Sequence, residues 1–284
     1  MNPLTHIERV LRAISHEQTD RLPRGELLVE EAFLDKLYPE AAYALYTEKM
    51  RRLTEDAGLD LVTVRVKDEE GSEDLEKWAI ETPYFVMALV DGLFWKAEDP
   101  LSFQDFIMGI CRAEEQTREL IENKKKRALQ LIRECVDKGA HGFIVGDDLA
   151  YDRGPFVAPE ELRNSIFPGH KEIVEAIKKE NKVAFLHSCG NLNRILDPIL
   201  STGFDGIHGL APSAGNDPMT IKQITYKKLA LMGIFEPDLL GPQEIEAMKK
   251  EILTPLAEGG GYIIGSAGGL SLNTSLDSFR ALYS

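Results

Sequence analysis

Lys182-Val183-Ala184-Phe185-Leu186-His187-Ser188, with Cys189 and Gly190 behind it, is a short apolar run that ends abruptly on polar groups. It reads as a buried strand delivering chemistry at its carboxyl end. Comparable β-rich runs lie at 22–29, 59–66, 84–90, 142–149, 206–210, 229–235 and 261–265, which with 182–188 makes eight. Amphipathic segments separate them, including 41–57, 113–138, 159–180, 193–201 and 242–257, each long enough for a crossover helix. Strands alternating with helices predict parallel βα units, and the count predicts an α/β fold, a single (β/α)8 TIM barrel with an N-terminal helical extension, as one domain over residues 1–284. Gly139 and Gly203 stand where helices need a left-handed terminator, and Pro242 suits a first helical turn. The helix at 5–16 is placed to plug the bottom of the barrel. The segment 67–81 reads as an excursion after the second strand, able to close over the site as a lid.

Composition narrows the function classes. The 284 residues carry 47 acidic against 33 basic side chains, a net charge of -14, which repels phosphate backbones and anionic membrane surfaces. Neither nucleic acid nor a membrane is an expected partner, and no run of about 18 apolar residues or signal-peptide core is visible. Cytoplasmic location is the expectation. Three widely spaced cysteines, Cys111, Cys135 and Cys189, do not form a disulfide framework. Cys111 and Cys135 fall in predicted helices as packed, inert thiols.

Barrel enzymes place reacting groups at the carboxyl ends of strands, where this chain offers Glu26, Asp147, Asp148, His187, Cys189, His208, Glu236 and Ser266. Residues i and i+2 of a strand share a face, so His187 and Cys189 project together. A nitrogen and a thiolate suit zinc, which in a catalytic site needs a further protein ligand and an open position. By residue type alone, the pair also reads as a structural cysteine beside a hydrogen-bonded histidine. Of Asp147 and Asp148, alternation lets only one face inward; the other caps or orients the loop. Tyr151 and Arg153 are placed to bind a substrate oxygen or carboxylate, or else are exposed loop residues. Asn216 and Asp217, before Pro218, suit a helix cap.

His187-Ser188-Cys189-Gly190-Asn191-Leu192, then 211–217 (APSAGND) and 259–264 (GGGYII), together with Glu8-Arg9-Val10-Leu11-Arg12-Ala13 and Asp20-Arg21-Leu22-Pro23, resemble the uroporphyrinogen decarboxylase superfamily. That superfamily contains porphyrinogen decarboxylases and corrinoid-linked methyltransferases. The decarboxylases resemble one another in an arginine-rich segment after the first strand; here the segment Arg24-Gly25-Glu26-Leu27-Leu28-Val29-Glu30-Glu31 offers one arginine among three acids. The methyltransferase side carries His-x-Cys plus a cysteine after strand eight, all binding zinc. His187 and Cys189 match, but Ser266 stands near the third position. The resemblance thus implies zinc held by His187, Cys189 and an acid, with Glu26 first among Glu26, Asp148 and Glu236, or by His208, or no metal. From their positions at or just after strand ends, Asp148, Tyr151 and Glu236 are the candidate catalytic residues, and His208 and Arg153 the candidate cofactor contacts. The corrinoid (cobalamin) would sit on a partner protein, and a small methyl donor or acceptor would be the other substrate. A uroporphyrinogen-decarboxylase-like lyase using Arg24 and Arg153, and a non-catalytic ligand-binding barrel, are the alternatives.

Overall fold

Alternation along the strands decides which side chains meet at the centre and which meet the helices. A computed structural model describes residues 3–284. The chain opens with α1 (His6–Ile14), capped by Thr5 and Glu8, followed by α2 (Glu31–Leu37) and α3 (Tyr46–Asp56). Then β1 (Leu61–Arg65), α4 (Glu69–Glu81), β2 (Phe85–Asp91), α5 (Phe103–Arg112), α6 (Glu115–Asp137) and β3 (Gly142–Gly146) form parallel units. A two-stranded antiparallel hairpin, β4 (Ala150–Tyr151) and β5 (Gly154–Pro155), interrupts the pattern. It resumes with α7 (Pro159–Ser165), α8 (Phe167–Lys179), β6 (Val183–His187), α9 (Leu196–Thr202), β7 (Gly206–His208), α10 (Pro218–Ile224), β8 (Ala230–Phe235), α11 (Pro242–Ala257), β9 (Tyr262–Ser266) and α12 (Leu276–Tyr283).

The seven strands β1-β2-β3-β6-β7-β8-β9 form one curled parallel sheet. Residues on one parity, Leu61, Phe85, Met87, Leu89, Ile144, Phe185 and Ile263 among them, form an inner apolar cluster. Those on the other parity, including Val86, Ala88, Val90, Phe143, Val145, Ala184 and Leu186, pack outward under the helices. Val10 and Ile14 of α1 join the inner cluster, so this helix lies against the inside of the sheet. Its Arg9 reaches Asp60, a fully buried carboxylate that also accepts from His6, Arg21 and the Arg24 amide.

Three expectations need correction. The run at 22–29 is no regular strand: Arg24 bridges Ile264 and Gly25 bridges Leu61, so the segment touches both edges of a seven-stranded sheet instead of adding an eighth. The region 67–81 is no lid. It folds as α4, with Asp68 capping the Gly71 amide and Leu75 and Trp78 buried, because a charge-rich opening conceals an amphipathic helix. The segment 159–180 is two helices, since Pro168 has no N–H to continue the ladder and α8 restarts at Phe167. Gly139 and Gly203 do take left-handed conformations, φ +89° and +90°. Among the described residues, no helix is long and apolar enough to cross a membrane.

Candidate metal centre

His187 closes β6 on the parity of Phe185, and therefore on the inner side; Cys189 follows two residues later. Gly190, at φ +84°, turns the chain there, and any side chain on it would meet the Ala150 carbonyl at 2.4 Å. Asp148 shares the parity of Ile144 and comes up beside them. Its Oδ1 accepts from the Cys189 amide at 2.9 Å and lies 3.7 Å from His187 Nε2, while Cys189 Sγ lies 3.6 Å from the same nitrogen. One ligand atom from each of Asp148, His187 and Cys189 falls within 4.8 Å of the others. Nitrogen, sulfur and oxygen donors converge on one point.

Burial and the Asp148 charge push the Cys189 thiol up to about 12, and burial lowers His187 to about 4. Both groups therefore rest neutral without a cation. The imidazole has a lone pair to offer, and a cation would displace the thiol proton. This donor set fits zinc and leaves a coordination position open. A cavity of about 400 Å³ adjoins the cluster, lined by Cys189, Gly209, Phe235, Glu236, Ala267 and Gly268.

The other candidates are distributed differently. Glu26 is not among the three converging groups: it takes the parity opposite to Leu27, and its carboxylate accepts from the Ser266 amide (3.1 Å), the Ser266 hydroxyl and the Tyr283 hydroxyl. Fully buried there, it is raised to about 7 by desolvation. Ser266, on the outward parity of Tyr262 and Ile264, points at Glu26 and not at Cys189. His208 is also fully buried, with Nδ1 2.8 Å from His187 Nδ1 and Nε2 3.0 Å from the Ser266 carbonyl, so neither nitrogen is open to a ligand or cofactor. Glu236 lines the cavity and accepts from the Ser213 amide and hydroxyl. Tyr151, stacked on Phe156, and Arg153 lie on the β4–β5 hairpin, outside the cavity lining. Asp217 caps α10, whereas Asn216 clamps the site loop by accepting from Leu192 and donating to Gly190 and Ala211 carbonyls. Cys135 is buried, but Cys111 is exposed, which corrects its reading as a packed thiol: its helix turns that face to solvent.

Two groups escaped the sequence reading. Lys96 donates to the Gly146 carbonyl at the end of β3 at 2.9 Å, placing a cation near the cluster. His170 on α8 bonds Asp147 at 2.6 Å, and Asp147 also accepts from the Leu93 and Phe94 amides at 2.7 Å each. A histidine within a helix gives no signal of a carboxylate 23 residues away.

A curled parallel sheet with an N/S/O cluster at its carboxyl ends defines the class, an α/β protein with a candidate metal site. The family model of uroporphyrinogen decarboxylase (URO-D) matches residues 101–284, and the chain belongs to that family. Two curated relatives are methylcobamide:CoM methyltransferases MtaA: one from Methanosarcina barkeri, 24% identical over 194 residues, and one from its strain Fusaro, 23% identical over 193. Each match covers 68% of this chain and 55% of the relative, so the chain spans about half the length of the curated relatives it matches. Among solved structures, a methyltransferase from Methanosarcina mazei superposes with TM-score 0.78 at 18% identity, covering 98% of this chain and 97% of that one. A B12-independent methionine synthase from Shewanella sp. W3-18-1 gives TM-score 0.57 at 11% identity, with 86% and 88% covered. These likenesses establish the fold.

Proposed function

We propose that this chain is a zinc-dependent methyltransferase that moves a methyl group between a small methyl donor or thiol acceptor and a corrinoid carried by a partner protein. The observation that carries the proposal is the convergence of Asp148, His187 and Cys189 within 4.8 Å beside an open cavity. Relatives named for methyl transfer from methylcobamide to CoM support it. His187, Cys189 and Asp148 hold the metal, with Asp148 in the place first given to Glu26. Zinc, when bound, supplies a Lewis acid that makes a thiol more acidic and so more available as thiolate.

The chain's own groups do the rest. Asp148 fixes the loop through the Cys189 amide, and Glu236, held by Ser213, presents a carboxylate at the cavity wall. Lys96 adds positive charge near the cluster. Transfer to a thiol forms an S–CH3 bond, breaks the Co–CH3 bond with the bonding pair left on cobalt, and releases the thiol proton to solvent. The decarboxylase reading lacks its cations, because Arg24 donates to the Ala57 and Tyr283 carbonyls and Arg153 stands away from the cavity. Anaerobic incubation of the zinc-loaded protein with methylcobalamin and a thiol such as CoM tests the proposal. The expected result is conversion of the methylcobalamin spectrum to that of cob(I)alamin with methyl thioether formed, or, in the reverse direction, methylation of cob(I)alamin by a small methyl donor; no spectral change in either direction contradicts it.

A further inference from the structure

The rings beside the cluster form a hydrogen-bonded chain whose direction is fixed at one end. Glu26 holds Ser266 by its amide and hydroxyl, which sets the Ser266 carbonyl in place. A carbonyl only accepts, so His208 Nε2, 3.0 Å away, carries the hydrogen. His208 is fully buried, its two nitrogens reach only His187 and the Ser266 carbonyl, and no carboxylate among the described residues stands by to pair an imidazolium, so the ring is neutral. A neutral imidazole has one N–H, so His208 Nδ1 is a bare lone pair, and His187 Nδ1 at 2.8 Å must donate to it. His187 Nε2 is then left without hydrogen, 3.6 Å from Cys189 Sγ and 3.7 Å from Asp148 Oδ1. Gly233 clears the space: at φ +90°, a side chain there would meet the Ser266 carbonyl oxygen at 2.6 Å and His208 Nε2 at 3.2 Å.

We infer that His208 is a positioning residue, which by accepting from His187 Nδ1 selects the tautomer that presents a bare Nε2 to the Asp148–Cys189 cluster. The opposite tautomer would put a proton where the ligand lone pair is needed. The inference rests on the metal reading of the cluster, yet the tautomer belongs to the metal-free chain and is measurable separately.

The test uses histidine-15N-labelled, metal-free protein and long-range 1H–15N correlations, with zinc affinity measured by competition against a chromophoric chelator. His208→Asn places an amide oxygen where Nδ1 stood and keeps an acceptor; His208→Phe keeps ring volume and removes it. Wild type and His208→Asn are expected to show His187 as the Nδ1–H form. His208→Phe is expected to shift it toward Nε2–H and weaken zinc binding about 10–100-fold, with His208→Asn much closer to wild type. An Nε2–H His187 in the wild type overturns the inference, whether or not the variants fold. So does equal loss of affinity in both variants with the tautomer unchanged. An Nδ1–H His187 in a wild type that binds no zinc upholds the tautomer and contradicts the metal reading.

Discussion

Asp147 and Asp148 are joined by one peptide bond, and the two-residue period of β3 sends them to opposite sides of the sheet. Asp147 lies among Leu93, Phe94 and His170 with no exposure, and its ion is stabilised by the two amides, by the His170 ring and by the positive charge of Lys96 nearby. Removing it leaves two amides and an imidazole unpartnered in the interior, so Asp147→Ala should cost about 3–5 kcal/mol in urea unfolding. Asp148 is exposed and its loss should cost less than about 1 kcal/mol, while zinc affinity falls at least tenfold. Equal destabilisation by the two variants, with equal zinc binding, would refute this division of roles. Alternation alone makes it plain that the two aspartates part company. Which one faces the site follows only once Phe143 and Val145 are seen to pack outward under the helices.

The loop after β6, which carries Cys189, packs against the β4–β5 hairpin that follows Asp148. They touch where Gly190 meets Ala150, and the Asn191 amide donates to the Tyr151 carbonyl at 2.8 Å. Gly190→Ala introduces both an unfavourable φ and a 2.4 Å collision. It should destabilise the protein by about 1–3 kcal/mol and lower zinc affinity, since Cys189 is the preceding residue. Thermal unfolding and metal titration check this, and a variant indistinguishable from wild type in both would contradict it. Strands such as Val183–His187 were legible because apolar runs ended on polar punctuation. The segment 22–29 misled because its composition is strand-like while its backbone bonds reach both sheet edges through single bridges. Glu26 misled for a related reason: its partners Ser266 and Tyr283 lie 240 and 257 residues away, beyond any local pattern.

At the scale of the whole molecule, Glu26 ties the bridging segment, β9 and α12 together, and its titration should be visible in global stability. Desolvation raises it from 4.5 to about 7, so between those values the folded chain holds a proton that the unfolded chain has lost. Stability should therefore fall as pH rises through that window, by on the order of 3 kcal/mol, and Glu26→Gln should flatten that part of the pH profile in urea unfolding. A profile unchanged by the substitution would contradict this. At this scale too, the zinc centre proposed for methyl transfer draws its groups from the carboxyl ends of β3 and β6. The most direct measurement is elemental analysis of purified, tag-free protein after zinc loading and removal of excess metal, wild type against Cys189→Ala. One zinc per chain, lost in a variant that remains folded, is the predicted result; no zinc in the wild type, or equal zinc in both, would contradict the account.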